Sequence, residues 1–253
     1  ISGVEFMAFN TDAQALKMSQ APITLQLGEK LTNGLGVGGD SKLGSEAAEE
    51  SIDQIQELLE GANMVFITAG MGGGTGTGAA PIIAGVARNM GALTVAVVTK
   101  PFEFEGAKRM ELAEEGIAAL KDKVDTLIVV PNQRLLEIID PNEKLSFIDA
   151  MKKVDSVLAE GVNSISNLIS QTGYINADFN DAKSVMQNAG TALMGIGRAS
   201  GENRAEEAAR AATTSPLLDM SIEGAKGVLY NIVGADLTLT EISLVSELIR
   251  EAV

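Results

Sequence analysis

Two hydrophobic periods alternate through the first half of the chain. Continuous apolar runs of strand length alternate with segments that carry apolar residues at helical spacing. This alternation is typical of a parallel sheet covered by helices on both faces. It predicts strands at 64–69, 93–99 and 124–130 and helices at 79–90 and 107–121. The sequence therefore predicts an α/β fold with a doubly wound, mostly parallel sheet.

Shorter elements precede this region. We predict strands at 4–10 and 23–27, a turn with the sequence NTDAQAL, and a glycine-rich loop at 32–44. Ser45 is the predicted N-cap of a helix with an acidic first turn. Apolar residues at helical spacing then continue to a glycine, Gly61, which is a typical helix end.

Several loops follow predicted strands directly. In a parallel sheet, ligands bind beyond the carboxyl ends of the strands. We therefore expect four loops to share one rim of the sheet, namely those at 10–12, 70–78, 99–106 and 131–134.

The second half of the chain opens with a long helical pattern. Ser146 and Asp149 fit a capping box, and the apolar residues that follow predict one helix of about 25 residues ending near Thr172. Beyond it the pattern predicts the start of a second α/β domain, with helices at 182–189, 202–213 and 240–251 and strands at 191–198 and 227–233. The predicted divisions are a ligand-binding domain at 1–145, a central helix at 146–172 and a further region at 173–253.

Charge and missing residue types exclude several classes of function. The 253 residues include 34 acidic and 19 basic side chains, a formal net charge of −15, which disfavours nucleic acid or an anionic membrane as a partner. The chain has no cysteine and no histidine, so it lacks thiolate and imidazole metal ligands and the usual general base. No apolar run reaches the roughly 18–20 residues of a membrane span. We expect a cytoplasmic protein.

The strongest single motif follows the strand at 64–69. Six glycines and two threonines lie between residues 70 and 78, before a helix, and this order favours an anion site made of backbone N–H groups. The lysine and hydroxyl of a P-loop are missing. A dinucleotide site would need an acidic residue about 20 positions further on, where residues 92–98 are apolar or threonine. A flexible glycine connector is the alternative.

Six spaced segments together resemble the tubulin/FtsZ family, with the greatest similarity to its bacterial cell-division GTPases. The segments are NTDAQAL, GGGTGTG, TKPFEFEG, VVPNQRLLEI, INADFNDAKSVM and ALMGIGRASGENRA. They occur in the family's order, and the resemblance covers essentially the whole chain. It implies that the glycine loop wraps the phosphates of GTP. The residues it assigns to nucleotide contacts are Gly72, Gly73, Gly74, Thr75, Gly76, Thr77, Glu105, Arg109, Asn132 and Asp155.

Alternatives remain for several of these residues. Glu105 and Arg109 suit ribose and phosphate oxygens, but they also fit a solvated i,i+4 ion pair. The resemblance makes Asn132 and Asp155 readers of guanine, and a carboxylate can accept from guanine N1–H and its 2-amino group. Asp155 could instead be a boundary residue of the helix. Met151 occupies a position where the family often has phenylalanine, so stacking on the base would be weaker.

Asp178 and Asp181 are the catalytic residues that the resemblance implies, acting on the GTP of the next subunit in a head-to-tail filament. Because the chain has no histidine, water activation must fall to carboxylates or a metal. Without the resemblance, Asn/Asp clusters after a helix more often form caps or turns. Asp155 precedes Gln171 by 16 residues, about 24 Å of helix, but the following loop could fold back, which leaves action within one subunit open.

The resemblance also implies ligands and partners. GTP and GDP would bind with Mg²⁺ held mainly by their phosphates, and filaments would serve septum formation at the division site. Division adaptors would bind a C-terminal tail, without direct membrane insertion. A nucleotide-sensing structural protein with little turnover is the alternative.

The family's first strand and its GGGxN loop are expected before Ile1, and its C-terminal sheet after Val253. We therefore expect this chain by itself to be impaired in binding and hydrolysing GTP.

Overall fold

The computed structural model describes residues 4–137, 146–170, 179–218 and 220–253. It divides into two compact units. The first consists of Ile1–Gln133 and Leu158–Ala192, and the second of Arg134–Val157 and Leu193–Val253. The predicted helix end near Thr172 lies outside the described residues.

Strands and helices alternate along the first unit, and helices predominate in the second. The strands are β1 (Met7–Asn10), β2 (Ile23–Gln26), β3 (Met64–Gly70), β4 (Leu93–Lys100), β5 (Thr126–Pro131) and β6 (Gly190–Ala192). The helices are α1 (Ala13–Lys17), α2 (Glu29–Thr32), α3 (Ser41–Glu50), α4 (Ile52–Leu59), α5 (Gly74–Asn89), α6 (Ala107–Lys121), α7 (Asn132–Glu137), α8 (Phe147–Ser170), α9 (Phe179–Met186), α10 (Arg204–Thr213) and α11 (Leu239–Ala252).

The main sheet is parallel, with the strand order β3, β4, β5, β6. A second parallel pair joins β1 to β2. In the main sheet, Gly70 is level with Thr99, and Lys100 with Pro131, so three strands end at one edge. β4 is buried from its first residue to Thr99, which explains its continuous apolar sequence. The α/β fold with parallel sheets is confirmed.

The glycine loop contains the first turn of a helix, because α5 begins at Gly74 and not at residue 79 as predicted. A β-carbon on Gly74 would lie 2.6 Å from the Gly38 carbonyl oxygen, and one on Gly78 would lie 2.0 Å from the Ser41 oxygen. Glycine therefore lets α5 approach α3 and the loop before it. The low helix propensity of glycine is overridden by this packing.

The N-cap predicted at Ser45 is wrong. α3 begins four residues earlier, and the side chain of Asp40 accepts a hydrogen bond from Leu43 N at 3.0 Å. The predicted single helix is also interrupted at Ser51, whose hydroxyl accepts from Gly28 N at 3.0 Å. Asp40 is the observed N-cap, and its carboxylate suits that position as well as a serine hydroxyl does.

The long helix follows the prediction closely. Ser146 Oγ accepts a hydrogen bond from Asp149 N at 3.2 Å and lies 2.6 Å from the Asp149 carboxylate. α8 then runs for 24 residues. The predicted cap of this helix is confirmed.

One predicted strand is too long and another is wrong. β6 stops at Ala192, although the pattern predicted a strand to residue 198, and residues 227–233 form no strand. A strand needs a neighbouring backbone as well as a suitable pattern. The register of β6 on β5 covers three residue pairs, and the described residues show no ladder beyond it.

In the second unit, α10 and α11 are joined by a charged pair. Arg204 donates from Nε to Glu241 at 2.6 Å and from a terminal nitrogen at 3.2 Å. The hydrogen bond from Arg204, and after it those from the Thr238 backbone and hydroxyl, lower the pKa of Glu241 to about 2. The helices in the described ranges include none that is long and apolar enough to cross a membrane.

Candidate functional site

The four loops predicted to share a rim are connected by hydrogen bonds at the carboxyl edge of the sheet. The hydroxyl oxygens of Thr11 and Thr75 are 2.7 Å apart, which joins the turn after β1 to the glycine loop. Met71 N donates to Thr99 O at 2.9 Å. Glu103 N donates to Gln133 Oε1 at 3.3 Å. The prediction of a shared rim is confirmed.

The glycine loop has the geometry of an anion cradle. Gly73 precedes α5 in an extended conformation and supplies no side-chain cap to the first N–H groups of the helix. Gly72 has φ +98° and donates from its backbone N to Thr77 Oγ1 at 2.9 Å. The positive end of the α5 dipole therefore faces the rim.

Close backbone contacts fix the shape of this cradle. A β-carbon on Gly72 would lie 2.6 Å from the Arg109 carbonyl oxygen, and one on Gly76 would lie 2.6 Å from the Gly70 oxygen. Gly74 N donates to Gly38 O at 3.1 Å. The loop is thus packed from two sides, which argues against the flexible connector.

Asn132 is the most informative side chain of the rim. It begins α7 directly after β5 and is 5% exposed. Its Oδ1 is buried and has no hydrogen-bond partner in the part of the chain that the structure describes. A buried acceptor without a partner is costly, and a ligand N–H donor would relieve that cost. The side chain therefore fits the base-reading role that the resemblance implies.

Glu105 and Arg109 form an ion pair with each other at the start of α6. Glu105 Oε1 also accepts from Phe102 N at 3.0 Å. The local ion pair that was the alternative is therefore present, and about half of the Arg109 side chain is exposed. Contact of either residue with a nucleotide stays a prediction.

The remaining predicted carboxylates are exposed or lie outside the described residues. Asp155 is exposed on the part of α8 that belongs to the second unit, so it carries no burial cost and its guanine role stays a prediction. Asp181 is exposed in the first turn of α9, and Asp178 lies outside the described residues. Within the described ranges no three acidic side chains form a metal site.

The carboxyl end of α9 is fixed at the amino edge of the sheet. Thr126, the first residue of β5, donates from Oγ1 to Met186 O at 2.6 Å. β5 carries the chain about 20 Å from Thr126 to Asn132, whereas α9 rises only about 7–8 Å from Met186 back to Asp181. Even if α9 ran straight back along β5, Asp181 would stop about 12 Å short of the level of Asn132.

One contact at the rim was missed by sequence reasoning, that of Gly38 and Asp40 with Gly74. The loop at 10–12 was expected at the rim, but the contact of the buried Thr11 with Thr75 was not. The glycines between residues 32 and 44 were the available signal. They do not indicate contact with the loop at 70–78, because that contact joins residues more than 30 positions apart.

Comparisons with known proteins agree with the geometry. Residues 2–140 match the Tubulin/FtsZ family, GTPase domain, and residues 190–253 match the FtsZ family, C-terminal domain. An FtsZ dimer from M. jannaschii superposes with a TM-score of 0.89 at 46% identity, over 97% of this chain and 71% of that one. A mutant FtsZ from M. jannaschii gives 0.91 at 46% identity, over 99% and 75%.

A more distant structure shares the fold alone. CetZ2 from Haloferax volcanii, in a GTPγS-bound protofilament, superposes with a TM-score of 0.63 at 23% identity. The match covers 82% of this chain and 61% of that one.

Proposed function

Because this chain belongs to the Tubulin/FtsZ family, we propose that it binds GTP in the rim cradle and hydrolyses it to GDP and phosphate within head-to-tail filaments. The family resemblance seen in the sequence is confirmed, and the GTPase domain implies guanine-nucleotide binding and GTPase activity. Filament assembly, its coupling to hydrolysis and a role in division belong to the proposal.

One observation carries the binding step. The anion cradle of the glycine loop and the unpartnered acceptor of Asn132 lie at the same carboxyl edge of the sheet. The first suits phosphates and the second suits a base that offers an N–H donor. Mg²⁺ held by the phosphates would neutralise charge during phosphoryl transfer.

Hydrolysis is proposed to require the next subunit. Asp178 and Asp181 would orient and polarise the attacking water, since no histidine is available. The attachment of α9 at the amino edge supports this arrangement, because it keeps Asp181 far from the cradle of its own subunit. A contact between opposite edges of two copies is heterologous and continues into a filament.

The cellular role follows from the same proposal. We infer a cytoplasmic protein that assembles at the division site and is tethered by adaptors. The resemblance was greatest to bacterial division GTPases, and the matched structures include an archaeal FtsZ, so the proposed role in division assumes no particular source organism. Fluorescence microscopy of a tagged full-length protein tests the location: a diffuse signal throughout division would contradict it.

The rate of GTP hydrolysis per subunit, measured against protein concentration, tests the shared site. We expect the rate to rise steeply where filaments appear. A low rate that does not change with assembly would instead favour the nucleotide-sensing structural protein. A high rate below the assembly threshold would refute hydrolysis between subunits.

Asp181→Ala tests the catalytic assignment. General acid–base catalysis contributes about 10²–10⁴-fold, so we expect a loss of at least about 10²-fold in turnover with GTP affinity unchanged. Asp53→Ala is the matched control, because Asp53 is also an exposed aspartate in the first turn of a helix. Loss of GTP binding in Asp181→Ala would contradict the assignment.

A further inference from the structure

A buried carboxylate organises the amino edge of the sheet, on the side opposite the cradle. Asp125 precedes β5 and is 5% exposed. Its Oδ2 accepts from Thr94 N at 2.9 Å and its Oδ1 from Asn188 N at 3.3 Å. The Asp125 carbonyl also accepts from Gly190 N at 2.9 Å. One residue therefore joins β4, β5 and the turn between α9 and β6.

Arg88 contacts the same turn from the last helical residues of α5. Its guanidinium donates to Asn188 Oδ1 at 2.6 Å and to Asp122 O at 3.0 Å, and its Nε lies 3.7 Å from Asp125 Oδ1. The guanidinium thus makes two hydrogen bonds and lies within ion-pair distance of Asp125, and its planar shape fixes the directions of its donors, unlike the rotating donors of an ammonium group. The hydrogen bonds to Asn188 and Asp122 lie at the surface, whereas the Asp125 carboxylate beside Arg88 is only 7% exposed.

Asn188 contacts both Asp125 and Arg88, and it does so in a specific backbone conformation. Its φ is +53°, in the left-handed region, which lets the chain reverse between α9 and β6. The backbone N of Asn188 donates to Asp125 while its side-chain oxygen accepts from Arg88. Together with the Thr126 hydroxyl on Met186 O, these bonds hold the carboxyl end of α9 in one place.

The geometry points to Arg88, through Asn188, as a positioning residue that sets where α9 presents Asp181 to the nucleotide of the next subunit. This inference rests on the proposed function and adds to it residues at the edge of the sheet opposite the cradle. α5 begins in the glycine loop at Gly74 and ends beside Arg88. One helix therefore links the cradle of a subunit to the attachment of the carboxylate that it offers to its neighbour.

The expected effect on turnover follows from the position of Asp181 at the end of α9 that is far from the attachment. Asp181 lies one to two turns from the attachment, so a small rotation at Asn188 is transmitted to the carboxylate. Displacement of a reacting group by about 1 Å costs up to about 10²-fold in rate. GTP binding, which uses the other edge, should be unaffected.

Two substitutions remove the contact in different ways. Arg88→Ala removes the guanidinium. Asn188→Gly removes only the acceptor amide, because glycine adopts the same positive φ without strain. For both we expect turnover to fall by about 10-fold or more, with GTP affinity within about twofold of the unchanged protein. Arg210→Ala is the control, since Arg210 pairs on an exposed helix face with Glu206 and should leave turnover unchanged.

A mixing experiment separates positioning from general damage to the fold. The full-length protein carrying Arg88→Ala is mixed with a pocket variant, Asn132→Leu with Arg109→Ala, at a GTP concentration that fills the intact pocket of Arg88→Ala and leaves the weakened pocket empty. The pocket variant supplies an intact α9 to the cradle of the Arg88→Ala subunit. We expect turnover of the mixture to exceed the sum of the two separate samples by about fivefold or more, since only α9 was at fault. Mixing Asp181→Ala with the pocket variant is the reference.

The outcomes are distinct. Rescue of both Arg88→Ala and Asp181→Ala supports the inference. Rescue of Asp181→Ala without rescue of Arg88→Ala overturns the positioning role and leaves the proposed function intact. Failure of both rescues overturns the shared site and the inference with it. Unchanged turnover in both Arg88→Ala and Asn188→Gly also overturns the inference.

Discussion

The two edges of the main sheet treat buried polar groups in opposite ways. At the carboxyl edge, the buried Oδ1 of Asn132 has no partner among the described residues. At the amino edge, each carboxylate oxygen of Asp125 accepts a backbone N–H, and Arg88 lies beside it. Asn132 lies at the same edge as the glycine cradle, so its unpartnered acceptor suits a ligand donor, whereas the paired carboxylate of Asp125 is a structural attachment. The comparison separates recognition from positioning within one sheet.

The edges also differ in what holds them together. At the carboxyl edge, close contacts of glycines with neighbouring backbone add to the hydrogen bonds between loops, whereas the described contacts of the amino edge are hydrogen bonds and an ion pair. A substitution at the first edge should therefore act by steric clash. One at the second edge should act by removing partners.

The largest effect is expected for Gly74→Ala. The added β-carbon would lie 2.6 Å from Gly38 O and 2.9 Å from Asp40 O, and both are backbone atoms that cannot move aside easily. We expect a loss of about 3 kcal/mol in the free energy of unfolding, measured by urea denaturation, and loss of GTP binding. Gly39→Ala is the control, because a β-carbon added there would meet no atom within 4 Å. Equal stability of the two variants would show that the close contact of Gly74 with Gly38 and Asp40 does not require glycine.

The sharpest test of the comparison pairs Asp125→Ala with Asn132→Ala. Asp125→Ala leaves the buried N–H of Thr94 and the part-buried N–H of Asn188 without their acceptor and should lower the free energy of unfolding by about 2 kcal/mol. Asn132→Ala removes an acceptor that has no described partner, so without nucleotide it should change stability by less than about 1 kcal/mol while weakening GTP binding about 10-fold. Urea denaturation with and without GTP measures both. Similar losses of stability would erase the distinction between the edges.

A smaller, pH-dependent effect is expected in the second unit. There both carboxylate oxygens of Glu241 accept hydrogen bonds from Arg204, just as both oxygens of Asp125 are paired at the amino edge. Pairing lowers the pKa of Glu241 from about 4.5 to about 2. The stabilisation is therefore present above pH 4.5 and is lost as the pH falls towards 2. Glu241→Gln should reduce this part of the acid dependence, followed by circular dichroism between pH 5 and 2. An unchanged acid profile would contradict it.

The smallest effect on stability is expected for Arg109→Ala, which breaks the partly exposed pair with Glu105. Such pairs contribute about 0–1 kcal/mol. If Arg109 contacts the nucleotide, GTP affinity should fall further than stability does. Lys42→Ala, which breaks the exposed pair with Glu46, is the control. Equal, small changes in GTP affinity for both variants would indicate that Arg109 only pairs with Glu105 and does not contact the nucleotide.

Local patterns explain why much of the fold could be predicted. The helix at 107–121 has the predicted limits, and the continuous apolar runs at β3, β4 and β5 are strands. Burial on both faces of a parallel sheet requires such runs, so the pattern and the element have one cause. The glycine loop and the motifs on either side of it also indicated the family.

Predictions failed where a distant partner decides the outcome. Residues 193–198 and 227–233 have strand-like sequences, but a strand forms only where another backbone pairs with it. The early start of α5 at Gly74 depends on contact with Gly38 and Asp40. Helix propensity within the segment could not indicate that contact.

The sequence by itself determined the alternating α/β elements, the glycine loop and family membership, because these depend on residues close together in the chain. The resemblance pointed to Asn132, but only the tertiary structure showed that its acceptor has no partner among the described residues, whereas Asp125, at the other end of the same strand, is paired. Asp125 finds its acceptor role with Thr94 and Asn188, which are 31 and 63 positions away. Asn132 finds no such partner among the described residues. Long-range pairing, which no local pattern encodes, decides which buried polar group awaits a ligand.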